Sequence, residues 1–463
     1  MKIKLAATLG PSSSNLKTIY EMIKAGISAF RINMVYGSLD EKDQIIKSIR
    51  KIEDELEEPI PIIAEIKGRT LRIGNMPETR LDPGEKVVLE FGTERSEETH
   101  VIPVPYEIPT RIISPNDRIL LADGRIAIRV DDIKDFEVEG TVIDGGILRS
   151  SARIALRRKS LLNLPPITRE DEKIIDFLMK RDIDILMIPD VLDPSDLEVV
   201  RSFLDTYKQD VRILARIENA EALPKLEAIA EKSDGIVFAK ENIENMLVEE
   251  ERPISDMFLE DLAIRVALKT LKPILVVPPM LESLVFNSKI KRSDAVILAN
   301  LVAKGFDGVI LCSETAIGND PINAVRTVAK IASEAEEHIE LSELKADKDD
   351  PTYVKFNRGL VALANMINAK IAVYTTYGRT VLAIVRFRPK ITVYGFANSK
   401  RTSRYLNVIW GAKPIYTKSM PDFETMKKEL IKRNLARSGE NIVFSYGWRP
   451  EIGPKQQVLI ETL

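Results

Sequence analysis

Short apolar runs alternate along this chain with stretches of helical period, and one long interval without any helical period interrupts them. That pattern restricts the fold more than any other feature, because strand–helix alternation builds parallel sheet covered by helices. "KIKLAATL", "SAFRINM" and "PIIAEIKG" read as strands. Between them, one helix carries Leu16, Ile19, Met22 and Ile23 on a face and stops at Gly26. The next carries Ile45, Ile46, Ile49, Ile52 and Leu56. From about Arg69 to Ser160, alternating stretches are punctuated by turn residues. "LLADGRIAIRV" and "GTVIDGGILRS" each hold Asp-Gly between strand-like flanks, which predicts two hairpins. Strand–helix alternation resumes at Thr168, where "TRED" offers a capping box, and runs through "DILMI", "VRILARI", "DGIVFA", "KPILVV" and "DGVILC". Three strands before the interval and five after it make eight, the number that closes a (β/α)8 TIM barrel, with an all-β lid domain inserted after the third strand.

A long helix at "NDPINAVRTVAKIA", with Asp320 as N-cap and Pro321 in the first turn, leaves the barrel. Beyond about Asp349, strands near "KIAVYTT", "KITVYGF", "KPIYT", "NIVFSYG" and "QQVLIETL" predict a C-terminal αβ domain with an open, doubly wound parallel sheet. The expected division is 1–68 with 161–340 for the barrel, 69–160 for the lid and 341–463 for the C-terminal domain. "TTYGRT" (Thr375 to Thr380) joins a strand to a helix, a place suited to an anion, although its spacing favours an ordinary capped turn. Trp410 is expected to pack within this domain, and Trp448 in "YGWRPEIG" to lie in an effector loop.

Composition excludes several classes of function. Charged residues make up 30% of the chain but the net charge is only -3, and no basic block suggests nucleic acid. The apolar runs are too short to span a bilayer, and "MKIKLAATLGPSS" reads as a strand and turn rather than a signal peptide. A single cysteine, Cys312, rules out an intrachain disulfide and fits a cytoplasmic protein. It is expected to be a packed small hydrophobe. The Lys/Glu/Ile-rich, Cys- and Gln-poor composition leans towards a thermophile. His100 and His338 stand in ordinary polar contexts with no metal-ligand spacing, so a His-based mechanism is not expected.

Chemistry on such a barrel sits at the C-terminal ends of its strands. Those ends read "RIN", "EIKG", "RIEN", "AKEN", "VPPMLES" and "LCSETAIGNDP". Together with "ATLGPSS", "IENAE", "SDGIVFA", "SETAIGNDPINAV", "GRT", "FRPK" and "WGAKP", they make the chain resemble the pyruvate kinase family over nearly its whole length. The resemblance implies an inserted β-barrel lid domain, phosphoryl transfer between phosphoenolpyruvate and ADP/ATP, Mg or Mn with K as cations, and a cytoplasmic homotetramer. Arg31 matches the arginine facing the phosphates, and Asn33 a ligand of the monovalent cation. Glu218 matches one of two carboxylates holding the divalent metal; Lys67, Arg72 and Asp123 fall on further family positions. Taken singly, each reads as a strand-end polar residue in a salt link, but their joint order makes that the poorer explanation.

Other positions depart from the family. Arg216 stands where the family has the lysine that meets the transferring phosphoryl group, and the two side chains are not interchangeable. Asn242 replaces the second metal carboxylate, and Glu241 the glycine whose amide receives the substrate carboxylate. Two anions about 4 Å apart repel by roughly 4 kcal/mol at an effective dielectric near 20. Pro278 replaces a threonine whose hydroxyl takes part in protonating the enolate, and proline offers neither proton nor N–H. At the cation site, family serine, aspartate and threonine fall at Val35, Glu65 and Ile66. Tyr36 replaces a histidine, Pro189 and Asp190 replace "SF", Ser313 a glycine and Ala122 a lid aspartate. The family's "KGVNLPG" has no counterpart in "RSSARIALRRKS".

These departures predict a member weak or inactive in the parent reaction, acting as a ligand-binding or regulatory paralogue. One alternative is an active pyruvate kinase of glycolysis in which Glu241 joins Glu218 on a rearranged metal. Another is a phosphotransferase of changed substrate, using Arg31, Lys67, Arg72 and Arg216 as a cationic cluster.

Overall fold

A computed structural model describes residues 1–69, 71–106, 113–122, 124–155, 164–249, 256–279, 281–338, 351–446 and 457–463. Among them, eight parallel strands close a barrel: Lys4–Leu9, Ala29–Asn33, Ile62–Glu65, Ile185–Ile188, Arg212–Ile217, Gly235–Ala239, Ile274–Val277 and Gly308–Leu311. These are the eight runs read from the sequence. "IIAE", "ILMI" and "GVIL" are buried at every position, because barrel strands face side chains inside and helices outside. The helices start where the caps place them. Ser38 with Glu41 opens Leu39–Leu56, and Thr168 with Asp171 opens Arg169–Met179. Asp193 with Asp196 opens Pro194–Asp205 behind an N-terminal proline. Asp320 accepts from the amide of Asn323 at the start of Pro321–His338.

The insert is all-β, as expected. Its six-stranded sheet runs Ile154–Ala155, Arg118–Leu121, Ile126–Ile133, Glu137–Asp144, Lys86–Phe91, Val101–Val104, over a core that includes Leu89, Ile102, Ile128 and Val138. "LLADGRIAIRV" forms the predicted hairpin. "GTVIDGGILRS" does not: Gly146–Leu148 pairs with Thr79–Leu81 instead of folding back on the preceding strand. The glycines there serve close approach, since a Cβ on Gly145 would lie 2.4 Å from the Leu81 carbonyl oxygen.

The C-terminal sheet has the order Ala412–Tyr416, Val393–Ala397, Lys370–Tyr374, Asn441–Tyr446, Gln457–Thr462. Its last pair is antiparallel, which corrects the expectation of a wholly parallel sheet. The connection between those two strands is shorter than the roughly dozen residues a parallel crossover needs. In "TTYGRT", the Gly378 amide donates to Thr375 Oγ1 (2.9 Å), so the segment is a capped turn leading into a short helix. Trp410 is buried between Lys2 and Arg388, with cations 5.2 and 4.6 Å from its ring. It therefore seals the junction with the barrel as well as packing within its own domain. Trp448 and Asp123 lie outside the described residues.

Candidate active site

The barrel register sets the site. Thr8 pairs with Arg31, and Asn33 with Glu65, at the C-terminal ends of the first three strands. Arg216 and Glu218 end the fifth strand, Glu241 and Asn242 follow the sixth, Pro278 the seventh and Cys312 the eighth.

Glu65 stands at the centre, 4% exposed. It accepts from Nε and Nη2 of Arg31 and from Nη1 of Arg216 (2.5 Å). Burial pushes its pKa up, but the two guanidiniums outweigh burial and hold the carboxyl below its usual range. Arg31 also donates to Thr8 Oγ1 (2.9 Å) and lies 3.4 Å from Cys312 Sγ. Cys312 is half-buried against the barrel core, as a packed small residue would be, and burial pushes its thiol pKa up. Arg31 and Arg216 pull in the other direction, but burial outweighs them, so the thiol is not activated as a nucleophile.

Glu218, 2% exposed, forms a second centre. Its Oε2 accepts from Nη1 of Arg153 and from Nδ2 of Asn242 (2.9 Å), while Arg216 Nε lies 3.5 Å from Oε1. Burial raises this carboxyl, yet Arg153 and Arg216 bring it down to about 2. Arg153 also reaches Asp190 (3.4 Å), whose backbone adopts φ 52 and whose carboxyl burial pushes upward. A small cleft of about 40 Å³ lies beside this pair between lid and barrel, lined by Arg153, Glu218, Asn242, Leu120, Asn245 and Met246.

The remaining expected residues make their hydrogen bonds elsewhere, although Asn33 is the register partner of Glu65 and the charge of Arg72 helps to lower Glu218. Lys67 Nζ pairs with Glu170, and its amide donates to Asp171 (2.9 Å). Arg72 donates to Tyr36 (3.1 Å) and to the Ser151 carbonyl (2.8 Å), 5.6 Å from the Tyr36 ring. Asn33 Oδ1 accepts from the Val35 amide (2.9 Å). Glu241, in the first turn of Lys240–Glu249, is close enough to Glu314 to raise the latter's pKa, though burial is the larger cause. Pro278 is buried. The cationic cluster imagined from Arg31, Lys67, Arg72 and Arg216 is thus only half assembled: Glu65 joins Arg31 to Arg216, while Lys67 and Arg72 have other partners.

These residues do not fit a divalent metal. The shared oxygen of Glu218 faces two N–H donors, one of them cationic, where a hard cation needs further oxygens. Among the described residues, no group of three or more His, Cys, Asp or Glu is arranged to hold a metal. Sequence reasoning missed Arg153, the partner it finds in Asp190, and the buried Arg69–Asp196 pair. The basic run "RSSARIALRRKS" was the available signal for Arg153.

Comparison with known proteins agrees with the fold. The family model for the pyruvate kinase barrel domain matches residues 1–325, and the model for the pyruvate kinase alpha/beta domain matches residues 357–456. The chain is similar to the pyruvate kinase of Thermococcus litoralis, at 32% identity over 89% of this chain and 88% of that one. It is similar to that of Aeropyrum pernix at 27% identity over 97% of each. A pyruvate kinase of Staphylococcus aureus is 30% identical over 93% of this chain and 74% of its own.

Proposed function

This chain belongs to the pyruvate kinase family, and from that premise we propose that it is weak or inactive in the family reaction and acts as a ligand-binding or regulatory paralogue. The observation that carries this reading is the double ion pair at Glu65. Transfer of a phosphoryl group depends on placed positive charge that costs no reorganisation when the reaction occurs. Arg31 and Arg216 are the charges nearest that task, and one buried carboxylate holds both. Glu65 offsets part of their charge, so a phosphoryl group reaching their remaining N–H donors meets a weaker field than two unpaired guanidiniums would give.

Two further features support the reading. Pro278 carries no proton to deliver to an enolate. Asn242 turns an N–H, not an oxygen, towards Glu218. Within this reading the division at 68/69, 160/161 and 340/341, a cytoplasmic location and a homotetrameric assembly are carried over as proposals. Ligands of the site would be phosphorylated or carboxylated metabolites.

A coupled assay for pyruvate formation tests it, run hot with phosphoenolpyruvate, ADP and Mg²⁺ or Mn²⁺, with and without K⁺. Turnover at least about 10²–10³-fold below ordinary kinase rates is expected. Turnover of about 1–100 per second would overturn the proposal and restore an active kinase with a rearranged site.

A further inference from the structure

Beneath the lid, one guanidinium lies between two buried carboxylates carried by different parts of the barrel. Arg153 Nη1 donates to Glu218, and Nη2 lies 3.4 Å from Asp190. Both acids are 2% exposed. Each also keeps a buried oxygen without a hydrogen-bond partner: Oδ1 of Asp190, and Oε1 of Glu218, which has Arg216 Nε 3.5 Å away. Two carboxylates converging on one cation, with lone pairs to spare, resemble the donor set of a hard metal ion, except that an arginine fills it.

The backbone of Arg153 gives this side chain a fixed root. Its carbonyl accepts from the Ala122 amide (3.0 Å). On either side, Ile73 donates to Ala152 (2.9 Å) and Ile154 to Leu71 (2.8 Å). The lid is fastened near the same place by the buried Arg69–Asp196 pair and by Leu192, a barrel residue packed into the lid core.

We propose that Arg153 is a built-in cation: it takes the place of a divalent metal between Glu218 and Asp190, bars metal from that position, and latches the lid to the barrel mouth. The arrangement explains why the shared Glu218 oxygen faces donors rather than other oxygens. It also gives the two acids a common countercharge, without which their burial would be costly. The proposal goes beyond reduced turnover and does not depend on it.

The test is calorimetric titration of the full chain with Mn²⁺, paired with thermal melting. The wild type is expected to show no binding that Glu218→Gln weakens. In Arg153→Met the guanidinium is gone and the two acids face each other. That variant is expected to gain a Mn²⁺ site with Kd on the order of 10⁻⁴–10⁻³ M, and Mn²⁺ is expected to recover the melting temperature it loses. Adding Glu218→Gln to Arg153→Met should abolish both effects. Arg153→Gln keeps a donor for Glu218 without the charge and should behave as the Met variant does. If either variant folds only with Mn²⁺ present, that supports the proposal. A Glu218-dependent Mn²⁺ site in the wild type would overturn it, as would folded Met and Gln variants that gain none. Pyruvate formation at ordinary kinase rates in EDTA would overturn the reading of low activity while supporting this one, so the two fail separately.

Discussion

Glu65 decides what the two arginines beside it can do. Replacing it by Gln leaves Arg31 and Arg216 charged, largely buried and short of a countercharge. Glu65→Gln is therefore expected to lower unfolding free energy by about 3–5 kcal/mol, measured by chemical denaturation. Inorganic phosphate should raise the variant's melting temperature more than the wild type's, because an anion can take the vacated position. Equal shifts in both proteins would mean that Glu65 does not withhold the arginines. At this scale the sequence was informative where chemistry is tied to a strand end. Arg31, Glu65, Arg216, Glu218 and Asn242 all lie at the barrel mouth, because strand register carries them there. Arg153 was not legible. Which basic residue of "RSSARIALRRKS" returns to the barrel depends on the pairing of Ile154–Ala155 with Arg118–Leu121, a long-range contact that local pattern does not encode.

Among the elements, Asp234 shows how one side chain fixes the entry to a strand. It precedes Gly235–Ala239, accepts from the Ile213 amide (2.8 Å), and pairs with Arg201 on the helix Pro194–Asp205 and with Arg212. Burial raises its pKa, but Arg201, the Ile213 N–H and Arg212 outweigh burial and hold it below the ordinary 3.8. A depressed folded-state pKa stabilises above the unfolded value and loses that contribution as pH falls through the folded one. Asp234→Asn is thus expected to cost about 1.5–3 kcal/mol at neutral pH. The gap to the wild type should narrow as pH drops below 3.8, followed by urea unfolding at several pH values. A gap independent of pH would remove the charge from this account. Element identity was legible because caps and periodicity are local: Thr168 and Asp320 open helices where their patterns predict. Partner choice was less so. Gly145 and Gly146 look like a turn, but the space they clear is used by a strand from elsewhere in the lid.

Over the whole molecule, the C-terminal domain is bolted to the barrel through charge. Arg404, 2% exposed, binds Glu53 through Nε (2.7 Å) and Nη2 (2.6 Å), and Asp182 (2.8 Å) and Asp184 (3.1 Å) through Nη1. Arg50 shares the same acids. Lys4 reaches across to Asn407 (3.1 Å), and the Tyr405 hydroxyl donates to the Asp234 carbonyl (2.6 Å). Arg404→Leu leaves Arg50 alone to hold Glu53 and Asp184 and is expected to cost about 1–3 kcal/mol. Calorimetry should then resolve the C-terminal sheet melting ahead of the barrel. A single transition at the wild-type temperature would show that Arg404 does not hold the junction.

The insert is tied to the barrel in another way. Its first and last described segments are hydrogen-bonded to each other at Leu71, Ile73, Ala152 and Ile154. Arg153 lies in that ladder and sends its side chain to Glu218, while Arg69 holds Asp196 and Leu192 packs into the core of the insert. Moving the insert off the barrel would therefore pull opposite charges apart in a dry place, so the stiffness of this seam is set by electrostatics as well as by packing.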